Sequence, residues 1–431
     1  MKRLPLALLL LAAFPAAHAA NLLDIYGEAQ LQDAAFASAR AAYRAGQEKL
    51  PQGLAQLLPT VSLSANATNN DVSSPTINRQ YTNEGYSLSL SQPLYRKQNF
   101  AVYEQAKSQV SVAEAQFVAA TQDLMVRVAQ AYFDVLLAQD NVMLSGAQKT
   151  AIAEQLEQAK RNFEVGTATI TDTHEAQARY DLATSQEIAA KNDLEIKKRA
   201  LQLIIGHPPE SLAGLSSKLG LKYPEPNDMA KWVEAAEQQN LQLQVQRASL
   251  EIANLEVERN RGGHHPTVDL VASYSDSKNA SFQFSGTTTS QSIGVQLNLP
   301  LYQGGLVNSR IREAVANQDK ARQDLELTRR QVALQSNQSF LGVTNGIAQV
   351  KALEQALVSS QSSLESTRIG QEVGVRTSVD VLNAQQQLYS AKRDLSQARY
   401  NTILSQIKLK QATGTLGEDD LQMVNQWLEG K

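Results

Sequence analysis

Few side chains in this 431-residue chain are spaced to do covalent chemistry. His264 and His265 are adjacent, so on a helix they would point apart, and Pro266 marks a bend after them. His174 and His207 have no partner at ligand spacing. HExxH, GxSxG and Gly-rich phosphate loops are missing, and Gly304-Gly305 after Tyr302 reads as a strand-to-helix transition. No catalytic residue, metal or cofactor is therefore expected. Two aspartates stand out instead. Asp172 and Asp380 close two near-copied stretches, VGTATITD over 165–172 and VGVRTSVD over 373–380. A carboxylate at a helix start accepts bonds from free backbone N–H groups, and Glu175 follows Asp172 at capping-box spacing. Capping explains such an aspartate yet leaves its charge free for a second role.

The elements around these stretches are helical. Gly166 and Gly374 fall where one helix would stop, and a Ser/Thr/Asp cluster follows where another would start. Each stretch thus reads as a tight turn between antiparallel helices, with Gly in the left-handed conformation. Upstream, residues 97–162 contain no Pro and a single Gly, Gly146. Apolar residues there step by three or four, from Val110 through Phe117, Leu124 and Val135 to Val142, near the period of a left-handed coiled coil. Roughly 65 such residues would span about 100 Å. Around 125–137 the apolar positions spread over more than one face, as a helix with two neighbours requires.

The N-terminus has a charged Lys2-Arg3, an apolar run and Ala17-His18-Ala19, the pattern of a signal peptide cut after Ala19. Cysteine is absent, so an exported chain would rely on packing and assembly rather than disulfides, and a thioether lipid anchor is not expected. The formal charge of −3, without a basic stripe, argues against nucleic acid as a partner. No later apolar run is long enough for a transmembrane helix, so membrane entry would need a closed β-barrel.

Strands are the remaining signal. Residues 60–68 alternate through Val61, Leu63, Ala65 and Ala67, and 86–91 through Tyr86, Leu88 and Leu90, with a polar loop expected over 69–84. The same design recurs at 267–274 and 292–299 around a loop at 275–291. Pro59 and Pro266, Tyr95 and Tyr302, and Phe133 and Phe340 are all 207 apart, while Gly166 and Gly374 are 208 apart. The chain is an internal duplication. It divides into a signal peptide (1–19), a helix (20–59), a β-hairpin (60–95), a long helix with tip and return helix (96–205) and a linker (206–228). A helix (229–265), a β-hairpin (266–302), a long helix with tip and return helix (303–413) and a C-terminal segment (414–431) repeat the order. Continuous helices are expected over 22–56 and 228–261. The fold class is mostly α with a small β part. Four strands cannot close a barrel, which takes about eight, so closure calls for self-association; a trimer would supply twelve. Two soluble hairpins packed on helices fit the same alternation.

The segments FEVGTATITDTHEAQARYD (163–181) and VGVRTSVDVLNAQQQLYSAKRDLSQARYN (373–401) resemble the TolC-like outer-membrane channels of bacterial type I secretion and multidrug efflux. The likeness covers nearly all of the mature chain. It implies a homotrimer whose twelve-stranded β-barrel crosses the outer membrane of a Gram-negative bacterium, continued into the periplasm by an α-barrel of coiled helical hairpins. It implies a passive exit duct, opened by an iris-like movement of the tips on engaging a periplasmic adaptor and an inner-membrane ABC or proton-driven transporter. By the same resemblance Asp380 would ring the closed entrance, with Asn383 where the best-known member has a second Asp. Such a ring would attract polyvalent cations and release them on acidification. Arg376 would tie the inner hairpin to the outer one near Thr171 and Asp172, with Gln371, in place of a Tyr, bonding Asp172. Val165, Gly166 and Thr167, with Val373, Gly374 and Val375, would meet the adaptor. A standalone diffusion porin and a secreted coiled-coil scaffold or adhesin are the alternatives. Long helices and tip motifs disfavour the first, and the strands and the repeat disfavour the second.

Overall fold

The computed structural model describes residues 19–216, 219–279 and 286–429. The signal peptide expected over 1–19 lies outside the described residues, apart from Ala19. The chain divides into two compact units, one of Met1–Ser38, Ala120–Asn240 and Val332–Lys431, the other of Ala39–Ala119 and Leu241–Gln331. Two long helices contribute to both: α4 (Lys97–Glu164) and α8 (Leu306–Glu372).

The second unit holds a four-stranded antiparallel sheet of β1 (Thr60–Ser74), β2 (Ile77–Tyr95), β4 (Thr267–Lys278) and β5 (Thr287–Asn298), in the order β1-β2-β4-β5. Strand periodicity sorts its faces. Val61, Leu90, Ala272 and Ile293 form one apolar row across all four strands, and Leu63, Leu88 and Tyr274 begin the next. The opposite face carries two rows of serine: Ser62, Ser89, Ser273 and Ser292, then Ser64, Ser87, Ser275 and Ser290. Neighbouring hydroxyls pair at 2.7 Å (Ser62–Ser89) and 2.8 Å (Ser64–Ser87, Ser273–Ser292). Val61, Leu63, Ile293, Val295 and Leu297 are exposed, an apolar band with no protein cover in the described chain. At the base of the sheet Arg96 forks onto the buried Asp269 at 2.8 and 2.7 Å, fixing the start of α4 to β4.

The expected loop over 69–84 is instead strand for all but the turn at Ser74–Ile77. Above the apolar band the pairing continues through polar residues, with Gln80 donating to Asp71 at 2.9 Å. Hydrophobic alternation stops there while the backbone ladder does not. Likewise β4 and β5 extend into the loop expected over 275–291, of which residues 280–285 lie outside the described ones.

The helix expected over 22–56 is three: α1 (Leu22–Gln32), α2 (Ala34–Gln47) and α3 (Lys49–Ala55). Asp33 makes the main break. Its backbone is extended (φ −67°, ψ 117°), its carboxylate accepts from Phe36 N–H at 2.6 Å, and Arg127 of α4 forks onto it at 2.9 and 3.1 Å. The helix expected over 228–261 breaks 207 residues later, at Asn240, into α6 (Met229–Gln239) and α7 (Leu241–Arg261). Asn240 is also extended (φ −61°, ψ 130°) and donates to Ala412 O at 2.8 Å. The return helices are α5 (Ile170–Ile205) and α9 (Ser378–Thr413), each ended by a left-handed Gly, Gly206 and Gly414. The linker and C-terminal segment are partly ordered together: β3 (Gly214–Leu215) pairs with β6 (Leu428–Glu429), and α10 covers Glu418–Asn425.

The first unit packs around adjacent Tyr132 and Phe133 of α4, both fully buried, which no single-stripe helix would allow. The Tyr132 hydroxyl donates to Ala213 O at 2.7 Å, and Phe133 meets Tyr400 of α9 with ring centroids 5.7 Å apart.

Candidate functional site

The two tips lie in the first unit and are built alike. Gly166 and Gly374 have φ of +77° and +81°, where a side chain is strained, and let the chain turn within two residues of each long helix. The turns close on helix carbonyls, Thr167 N–H to Asn162 O at 2.8 Å and Val375 N–H to Gly370 O at 2.9 Å. Thr169 and Thr377 then cap α5 and α9. Each receives a bond from the N–H three residues on, and Asp172 and Asp380 return the contact to the threonine N–H at 2.9 Å. The aspartates are thus third residues of capping boxes and not the caps themselves, and the box closes on Thr169 rather than on Glu175. The spacing TxxD in both copies carried that signal.

Val165, Val373 and Val375 are about 70% exposed, a small apolar surface at the turns. Asp380 sits in the first turn of α9. The Thr377 N–H and hydroxyl, helped by the Arg376 charge, hold it below the ordinary carboxylate range. Both Thr377 bonds fall on Oδ2. Arg376 is exposed, with its stem against α8: a Cβ on Gly370 would lie 2.8 Å from Arg376 Cγ.

Within one chain the expected latch is not assembled. Among the described residues Arg376 makes no hydrogen bond to Thr171 or Asp172. Gln371 donates to Ser378 of its own hairpin at 3.0 Å, not to Asp172. Asn383 has a different partner: it accepts from Arg179 of α5 at 3.2 Å. No spacing in the sequence marks Arg179. Of the histidines, His264 lies against Asn308 at 3.1 Å and His207 against Glu28 at 3.3 Å, while His174 belongs to the start of α5.

Comparison with known proteins decides what these tips belong to. The outer membrane efflux protein family matches residues 25–207 and 232–415, one match for each repeat. The chain belongs to that family. It is similar to outer membrane protein TolC of Vibrio cholerae serotype O1, 36% identical over 415 residues that cover 95% of this chain and 94% of TolC. It is also similar to the proteases secretion protein PrtF of Dickeya chrysanthemi, at 32% identity with 96% and 92% of the two chains covered. Among solved structures, outer membrane protein VceC of Vibrio cholerae superposes with a TM-score of 0.79 at 20% identity, over 91% of this chain and 96% of VceC. At that identity the likeness speaks for the fold alone. Family and fold are those of outer-membrane channel proteins and not of enzymes, and the outer membrane is where an outer membrane efflux protein resides.

Proposed function

We propose that three copies of this chain close one barrel and form a passive exit duct through the outer membrane, serving protein secretion, drug efflux or both. One observation carries the reading. The outer strands β1 and β5 each have a strand neighbour on one side only, in a sheet whose apolar face is exposed. Lipid cannot satisfy open backbone edges, so β5 of one copy must pair with β1 of the next until the ring closes. Family membership and the likeness to TolC and PrtF support the same assembly and the same work. The energy comes from an ABC or proton-driven transporter in the inner membrane, joined through a periplasmic adaptor.

In this reading the tips are the periplasmic entrance. The exposed Val165 and Thr167, Val373 and Val375, with Gly166 and Gly374 allowing close backbone approach, meet the adaptor. Asp380 from three copies lines the constriction, and the missing intrachain bond leaves Arg376 to meet Thr171 or Asp172 of a neighbouring copy. Outer-membrane flotation followed by light scattering in detergent tests the assembly. A trimer that floats with outer membranes is expected; a folded monomer in detergent overturns the proposal.

A further inference from the structure

The two hairpins near the tips each carry their own seam. Leu364, Val381, Ala384 and Leu388 form a buried cluster within α8 and α9. Ile152, Leu156, Ala159, Ala176 and Ala183 form another within α4 and α5, and α9 adds only Leu382 to it. In that cluster α9 is represented by a single leucine, set against Ile152, Leu156 and three alanines. Beside it stands a polar contact. Arg179 of α5 donates through Nη1 to Gln386 Oε1 at 2.7 Å and through Nη2 to Asn383 Oδ1 at 3.2 Å, both on α9. Its Nε donates to Glu175, one turn earlier on α5, at 3.0 Å, which orients the other two nitrogens across the seam. The guanidinium thus uses three edges for three partners, a geometry that a lysine ammonium cannot reproduce.

Further along, α9 is anchored more firmly. Tyr400 is buried, donates to Asp140 of α4 at 3.1 Å and packs on Phe133. Asn383 and Tyr400 are about 25 Å apart along the helix. One end of this lever is embedded in the core; at the other, α9 packs on α8 and meets the α4–α5 hairpin through Leu382 and Arg179.

We propose that the Arg179 fork onto Asn383 and Gln386 is the intrachain tie that keeps α9 against α5 in the closed channel and lets go when the entrance opens. The inference rests on the channel reading above. Both acceptors are neutral amides, so the tie is charge-assisted from one side and exchanges readily for water. An aspartate at 383 would turn it into an ion pair.

The test uses trimers in planar bilayers, with a single reporter thiol for a second readout, since the chain has no cysteine. Arg179→Ala should raise single-channel conductance or open probability about two- to fivefold, Arg179→Lys should fall between, and Asn383→Asp should lower it. The Asn383→Asp effect should vanish in the Arg179→Ala background, which separates the tie from a simple change of pore charge. With Leu382→Cys as reporter, maleimide labelling should speed by a similar factor when Arg179 is removed, because Leu382 is buried only while α9 is held down. Should Arg179→Ala trimers not assemble, Asn383→Ala combined with Gln386→Ala removes the acceptors and leaves the arginine. Unchanged conductance and labelling in the variants overturns the tie while the channel stands. A wild type that forms neither trimer nor channel overturns the channel reading itself.

Discussion

At the scale of single residues, the tips show how one carboxylate serves two purposes. Asp380 Oδ2 is committed to Thr377, and this lowers the pKa instead of raising it. A group depressed on folding stabilises the fold above its unfolded pKa, and that contribution disappears as pH falls through the folded value. Acid should therefore loosen the first turn of α9 only below the ordinary carboxylate range. The same shift revises the expected response of a cation block. Hydrogen bonding alone keeps the carboxylate charged to low pH, so release of a bound trivalent cation on mild acidification would report repulsion among the three copies. Asp380→Asn should abolish block by a trivalent cation added on the periplasmic side, with conductance as the readout. Equal block in the variant would remove Asp380 from the constriction. Thr377→Ala isolates the capping role. Backbone amide exchange at the start of α9 should accelerate about fivefold, with cation block retained. The aspartates and the glycines were legible in the sequence; the TxxD spacing stood there too, but the box was expected between Asp172 and Glu175. Arg179 was not legible, because its partners lie on a helix some two hundred residues away and neither Asn383 nor Gln386 carries a charge that would call for one.

At the scale of elements, the sequence revealed long helices and alternating strands and concealed where they break. Long helices announce themselves by period and by the lack of Pro. The break at Asp33 has no Pro or Gly to mark it; it exists because Arg127 and the Phe36 N–H both need that carboxylate. Its duplicate at Asn240 is set by a carbonyl of α9. The upper halves of β1 and β2 were missed for the opposite reason, since their pairs are polar and a hydrophobic pattern cannot report them. Asp33 is buried, and Arg127 holds it below the usual carboxylate range. Asp33→Asn keeps the shape and removes the charge. It should cost about 1–3 kcal/mol and lower the urea midpoint. The Asp33 contribution is likewise present above its unfolded pKa and fades as pH drops through the lowered one. A wild type and variant that converge in stability at strongly acid pH, and differ at neutral pH, would bear this out.

At the scale of the whole molecule, duplication supplies half of the construction and assembly the rest. Two hairpins per chain were readable from the 207-residue offset, and the need for further copies from the count of strands. The two-stranded ladder between the linker and the C-terminal segment was not readable, because two residues on each side leave no periodic trace. The serine rows add something about the cargo. In a closed ring each row becomes a hoop of hydroxyls, some of which already bond in pairs, Ser62 to Ser89, Ser64 to Ser87 and Ser273 to Ser292. Such serine rows are wet and uncharged, and a passing solute finds no ion pair on them to hold it. A conduit lined this way sorts by girth and lets unlike molecules slide through without lingering. It would suit an exit that must never become a trap.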